Sequence, residues 1–220
     1  MKREVIITRD GSSTIAIPEM KVMYHSIHGA IKESTHVYIQ AGLHYVVERF
    51  SDTPLRVFEM GFGTGLNALL TAIDGQRQQR IIQYTSVEAF PLTPVEISEL
   101  DYGSTLKNEM LFEQLHQVPW SQPVVISPFF TLQKEQNMLA DFSIDEPVHV
   151  IYYDAFAPAA QPELWTQAVF EKLYHMLVPE GVLVTYCSKS DVRRAMQAAG
   201  FAVSKLPGPP GKREMLRAKR

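Results

Sequence analysis

One cysteine in 220 residues, Cys187, excludes an intramolecular disulfide and a zinc site built from several cysteines. A chain without disulfides suits a reducing compartment. No stretch approaches the ~20 apolar residues needed to span a bilayer, and Met1-Lys2-Arg3-Glu4 lacks the apolar run of a secretory signal. The expectation is a cytoplasmic protein with no membrane partner. Excess positive charge is missing too. The net charge is −3, so the molecule as a whole is not a general polyanion binder. There are no internal repeats and no low-complexity tracts. What remains is 45% apolar and 20% charged, the composition of an ordinary globular domain. At this length one domain buries roughly 70% of the surface its unfolded chain exposes, enough for a real core.

The charge is unevenly spread. Lys212, Arg213, Arg217, Lys219 and Arg220 close the sequence against one acid, Glu214. Two readings stay open: a solvated tail, or a basic edge that meets phosphate.

Periodicity and turn residues set out the elements. Val5-Ile6-Ile7 and Thr14-Ile15-Ala16-Ile17 flank Asp10-Gly11 and read as a hairpin. Apolar residues between 34 and 50 recur at helical spacing. Strands are expected over 55–60, 81–87, 129–133, 148–153, 182–187, 201–206 and 213–218. Helices are expected over 66–73 (closed by Asp74-Gly75), from Pro94 behind Thr93, from Pro162 to about 177, and over 190–199. Pro179-Glu180-Gly181 reads as the turn into the next strand. Strands alternating with helices mean a mostly parallel sheet wound on both faces. The last two strands lie too close for a crossover helix, so the final one must run antiparallel. The fold class expected is α/β, Rossmann-like, as one domain over 1–220. Residues 1–50 form an N-terminal hairpin and helix extension to a core over 51–220.

Phe58-Glu59-Met60-Gly61-Phe62-Gly63-Thr64-Gly65-Leu66-Asn67 leaves a strand and enters a helix, the context in which a glycine loop carries meaning. Its glycines alternate, whereas a dinucleotide fingerprint places its third glycine three residues after the second. Gly61 and Gly63 let backbone approach a ligand where a β-carbon would clash. A plain tight turn is the other reading. Glu59 ends the strand, where ligands of open α/β sheets bind. Glu88 ends the next strand, and a carboxylate accepts two hydrogen bonds side by side, as a ribose diol offers them. It also reads as an ordinary acid before Pro91.

Asp154-Ala155-Phe156-Ala157-Pro158 follows another strand, with Gln161-Pro162-Glu163-Leu164-Trp165 beyond it. An acid, an aromatic ring and a rigid turn at this place suit an attacking amine that must be held in line. Asp154 as a helix cap and Trp165 as a core anchor are the alternatives. His25 and His28, or His36 and His44, have spacings common by chance, and no metal is expected. Cys187 reads as an inert core residue.

Together these segments resemble the methyltransferase domain of the bifunctional tRNA-modifying enzyme MnmC, and more closely its stand-alone, MnmD-type relatives. The resemblance rests on Tyr24 to Ala30, Glu33 to Ile39, Glu59 to Asn67, Val87 to Leu92, Asp154 to Trp165 and Gly211-Lys212-Arg213-Glu214-Met215. It implies the class I methyltransferase fold with S-adenosylmethionine as cofactor. The cofactor would be held by Glu59, Met60, Gly61, Phe62, Gly63, Gly65, Asn67 and Glu88. Asp154, Phe156 and Pro158 would be catalytic. Gln161, Trp165, Lys212 and Arg213 would meet the tRNA. The reaction implied is N-methylation of the 5-aminomethyl group of a wobble (2-thio)uridine. Gln161 stands where family members often have asparagine. The flavin-dependent oxidase domain of MnmC has no counterpart, so no flavin is expected.

Overall fold

The computed structural model describes residues 2–50 and 54–220. Strands β1 (Glu4–Ile7) and β2 (Ser13–Ile17) pair antiparallel around Asp10-Gly11, as expected. The Asp10 carboxylate holds the turn, accepting from the Thr8 and Ser12 hydroxyls and from the backbone N–H of Lys32. A third strand, β3 (Val22–Met23), extends this sheet and was not expected. The boundary expected between the extension and the core falls at residues 51–53, outside the described residues.

The helix expected over 34–50 starts earlier and is not uniform. It runs as an α-helix over Ala30–Ser34, a π-helix over Thr35–Leu43 and an α-helix again over His44–Val47. It lies directly on the main sheet. A β-carbon at Gly42 would stand 2.9 Å from Val184 Cγ2 and 3.3 Å from the Tyr152 ring, so only glycine allows this approach.

The main sheet holds β4 (Leu55–Met60), β5 (Ile82–Val87), β6 (Val124–Ser127), β7 (Phe130–Glu135), β8 (Val148–Tyr153), β9 (Leu177–Thr185), β10 (Ala202–Pro207) and β11 (Glu214–Lys219). Their spatial order is β10-β11-β9-β8-β4-β5-β7-β6. The run from β9 to β7 is parallel. β11 sits between β10 and β9, antiparallel to both. The strand reversal expected at the C-terminal end is therefore present, and the fold is a doubly wound α/β sheet.

Period-2 alternation sends successive strand residues to opposite faces. Val57, Tyr84, Val150, Tyr152 and Val184 pack under Val37, Leu43, Leu66 and Leu69. Phe58, Met60, Ile151, Tyr153 and Leu183 pack on Phe170, Leu173, Val192 and Met196. Burial on both faces explains why these strands read as continuous apolar runs.

Several expected boundaries are corrected. The helix after the glycine loop does not stop at Asp74-Gly75; it runs Leu66–Gln78 and ends at Gln79 in the left-handed region. Gly75 is there for clearance, since a β-carbon would lie 2.9 Å from Ile82 Cδ1. Asp74 is buried and accepts from His44 Nε2, Arg77 and Gln78. Pro162 opens only a short 3₁₀ turn, Pro162–Trp165. The α-helix Gln167–Met176 restarts behind Thr166, whose hydroxyl caps it. Pro179-Glu180-Gly181 lies inside β9, where the register against β8 shifts. Strand β6 and the helices Tyr102–Thr105 and Glu109–Gln117 were not expected. Thr93 and Glu96 form the full reciprocal cap of Pro94–Ser98, a sequence pattern that fixes a helix start.

Candidate active site

A cleft of about 930 Å³, open mouth included, lies at the C-terminal ends of β4, β5 and β8. Met60, Gly61, Phe62, Gly63, Asn67, Glu88, Asp154, Phe156 and Gln161 all line it. Glu59, Gly65, Pro158, Trp165, Lys212 and Arg213 do not.

The glycine loop forms one wall. Gly61, Gly63 and Gly65 all adopt positive φ, at 93°, 50° and 73°. Side chains rarely tolerate that region. A β-carbon at Gly63 would stand 3.1 Å from the Tyr24 ring, and one at Gly65 only 2.8 Å from His116 Nε2. Gly65 therefore serves helix packing, as the left-handed N-cap of Leu66–Gln78.

Glu88 faces this loop. Its Oε2 accepts from the Gly63 N–H at 2.9 Å and its Oε1 from the Phe90 N–H at 2.8 Å. A carboxylate has about four lone-pair positions, so acceptor capacity remains on both oxygens. Arg3 arrives from β1 and donates to the Phe90 carbonyl at 2.8 Å and to Glu96 at 3.2 Å. It fixes the segment behind Glu88 and itself lines the cleft.

Glu59 is turned the other way. It shares the face of Val57, is wholly buried, and accepts from the Ser86 hydroxyl at 2.8 Å. Burial pushes its carboxyl up to about 8, so it is protonated at neutral pH. The side chain expected to meet the cofactor is a neutral post beneath the loop.

Asp154 stands at the end of β8. Its Oδ2 accepts from Asn67 Nδ2 at 2.9 Å, tying the β8 end to the helix that follows the glycine loop. Burial raises its pKa; His25, Tyr38 and Asn67 oppose that rise and Glu33 adds to it. The carboxylate is therefore a better proton acceptor than an ordinary aspartate of pKa near 3.9. Asn67 Oδ1 is buried and has no partner among the described residues. The same amide contacts the buried, protonated Glu59.

The residues after Asp154 are held from three sides. The Tyr186 hydroxyl donates to the Ala155 carbonyl at 2.8 Å, the Trp165 indole N–H to the Phe156 carbonyl at 2.8 Å, and the Phe156 N–H to Gln161 Oε1 at 3.1 Å. Trp165 is buried against Tyr153 and Phe170, which matches its core-anchor reading. Trp165→Phe keeps the ring but removes the donor and should cost about 1–3 kcal/mol, the scale of a buried carbonyl left unpaired. Urea unfolding would measure it; an unchanged midpoint would show that this bond does not hold the loop.

Sequence reasoning missed Arg3, Tyr24, His25 and Tyr38. Tyr24 stands edge-on to Phe156 with ring centroids 5.1 Å apart. His25 bonds Thr64 at 2.8 Å and is kept neutral by burial. Tyr38 reaches Asp154 from the π-helical segment. Tyr24, His25 and Tyr38 were marked as site residues only by the Tyr24–Ala30 and Glu33–Ile39 segments, and Arg3 by nothing in the sequence.

Most of the basic C-terminal residues are engaged. Lys212 Nζ lies 2.6 Å from Glu33 and 3.9 Å from the centre of the Tyr186 ring. Arg217 stacks on Tyr45, Lys219 pairs with Glu180, and Arg220 donates to the Leu177 carbonyl. Arg213 is exposed. The histidines once weighed as metal ligands have partners: His28 meets Arg9, His36 the Pro207 carbonyl and His44 Asp74. Among the described residues no group of three or more His, Cys, Asp or Glu is placed to hold a metal. None of their helices is long and apolar enough to cross a membrane.

A family model described as S-adenosyl-L-methionine-dependent methyltransferase matches residues 134–220. The fold is that of class I methyltransferases, and over 134–220 the sequence is similar to that S-adenosyl-L-methionine-dependent family. The fold implied by the resemblance to MnmC-type methyltransferases is present. A crystal structure of MNMC2 from Aquifex aeolicus superposes with a TM-score of 0.79 at 24% identity, covering 99% of this chain and 69% of that one. Spermidine synthase from Thermotoga maritima gives 0.57 at 12% identity, covering 99% and 68%. The sugar N-methyltransferase KedS8 from Streptoalloteichus sp. gives 0.51 at 14%, covering 86% and 87%.

Proposed function

We propose that this protein methylates a neutral primary amine on tRNA, the 5-aminomethyl group of a (2-thio)uridine at the wobble position. The observation that carries this reading is Asp154: a carboxylate of raised proton affinity, fixed to Asn67, beside the aromatic rings of Phe156 and Tyr24. An amine needs an acceptor for one proton and a wall that keeps water out. The sequence resemblance to MnmC-type enzymes supports the tRNA substrate, and the Aquifex MNMC2 structure shares the fold.

The cleft fits S-adenosylmethionine. Glu88 would take the ribose hydroxyls, and Asn67 would line the same cleft beside Asp154. Backbone of Gly61 to Gly63 would pass beneath the cofactor. When bound, the cofactor supplies an electrophilic methyl group on sulfonium sulfur. Asp154 orients the amine and takes its proton, while Phe156 shapes the approach. Holding two reactants in line is worth up to roughly 7–11 kcal/mol of the barrier. Gln161 and Trp165 act through the loop they hold, and Pro158 stiffens it.

Mass spectrometry of wobble nucleosides, after incubating tRNA with the protein and labelled methyl donor, tests the reaction. Label in 5-methylaminomethyluridine is the expected product. The spermidine synthase likeness covers 99% of the chain, so a second reading is transfer to a small diamine. Label in a free diamine and none in tRNA would favour that reading.

Arg213 carries the remaining tRNA expectation. Arg213→Ala should lower the salt dependence of tRNA binding by about one unit of slope and leave cofactor binding unchanged. Filter binding at several salt concentrations reads both; an unaltered slope removes Arg213 from the interface.

A further inference from the structure

Lys212 is a cation placed where a phosphate contact cannot use it freely. Its ammonium lies 2.6 Å from Glu33 Oε1, and the Glu33 side chain is only 7% exposed. The other Glu33 oxygen accepts from the Ser26 N–H at 2.7 Å. On its far side Lys212 sits 3.9 Å over the Tyr186 ring, and the Tyr186 hydroxyl donates to Ala155, the residue after Asp154. Gly211, at φ 85°, packs so closely on His28 that a β-carbon would stand 2.1 Å from its ring. His36 bonds the Pro207 carbonyl at 2.8 Å. The C-terminal turn is thus seated on the N-terminal segment and reaches the loop of the reacting acid through one aromatic ring.

We propose that Lys212 is a positioning residue for Asp154, neutralising buried Glu33 and bracing Tyr186 against the loop that carries the acid. The inference rests on the reading of Asp154 as proton acceptor. Asp154 is faced by His25 from the segment after β3, by Glu33 and Tyr38 from the 30–47 helix, and by Glu59 from β4. Tyr84 of β5 and Tyr186 after β9 complete the set. His25 is neutral and Glu59 protonated, so Glu33 is the like charge that matters and Lys212 is the charge that cancels it. Lys212 also faces Cys187 and His25, neither of which bears a charge at neutral pH. Without Lys212, an uncompensated Glu33 disfavours ionised Asp154. The base then forms only at higher pH.

The test is the pH profile of kcat/KM for the full chain, using tRNA that carries 5-aminomethyluridine. The substrate amine titrates identically in every variant, so differences belong to the protein. Lys212→Met should move the acid limb to higher pH and lower kcat by ~10-fold or more at pH 7, with KM for tRNA changed less than about threefold. Lys212→Arg should keep the wild-type limb. Glu33→Gln added to Lys212→Met should bring the limb back, because no buried charge then lacks a partner; this pair also answers a loss of folding in the single variant. An unmoved acid limb in Lys212→Met overturns the proposal. So does a loss confined to KM with a shallower salt slope, the signature of a phosphate contact. Asp154→Asn separates the two levels: near-normal turnover there sinks the proton-acceptor reading itself. An inactive Asp154→Asn with an unmoved Lys212→Met limb sinks only the role of Lys212.

Discussion

Asp154→Ala should lower turnover by ~10²-fold or more, the scale of a positioned proton-transfer group, while cofactor affinity changes far less. The carboxylate meets Asn67 at 2.9 Å and sits at the end of β8, across the cleft from Glu88. Removing it leaves the glycine loop and Glu88 untouched. Asp154→Asn retains the shape and loses the base. Because burial raises the Asp154 pKa, the group is active only when ionised, and wild-type kcat/KM should fall as pH drops through that raised value. The asparagine variant should lose this limb. Steady-state kinetics across pH, with calorimetry of the methyl donor, reads all of it. An alanine variant with near-normal turnover would remove Asp154 from the mechanism.

The second large effect is on binding. Gly63→Val should abolish measurable binding of the methyl donor in calorimetry. Gly63 holds φ at 50° with Tyr24 Cδ1 only 3.1 Å from where a β-carbon would stand. A β-branched residue in that region is strained by roughly 1–3 kcal/mol, and relaxing the strain moves the N–H that Glu88 accepts. Gly63→Ala should lie between. The far-ultraviolet circular dichroism should stay native, since the change is confined to the loop between β4 and the helix Leu66–Gln78. NAD should bind neither protein. Tight NAD binding to the wild type would falsify the cofactor assignment; donor binding unchanged by valine would mean that the loop is only a turn.

Much of the sheet was legible because its strands are buried on both faces. Leu55–Met60 and Val148–Tyr153 form where the apolar runs stand between Pro, Gly and Asp. The reversed last strand followed from connection length alone. Local turn chemistry misled where packing had another use for the residue. Gly75 reads as a stop yet provides clearance for Ile82, and Pro179-Glu180-Gly181 reads as a turn yet sits inside a strand. In the site, residues whose role depends on the backbone were legible: the glycines, Glu88 at a strand end, Asp154 at another. Which way a side chain turns was not. Glu59 and Met60 adjoin in sequence, but strand alternation sends one beneath the loop and the other into the cleft. Lys212 read as a free cation because Glu33, its partner, stands 179 positions away.

The π-helical stretch Thr35–Leu43 bears on how this lineage can vary in length. A π turn is an α turn carrying one surplus residue, and such insertions cluster at functional sites. Deleting a single residue there would let the helix relax toward ordinary winding and would change the angle between residues on either side of the cut. Tyr38 would no longer reach Asp154 while Gly42 still met the sheet at Val184. A one-residue gap between 35 and 43 in a relative would mark a changed active site.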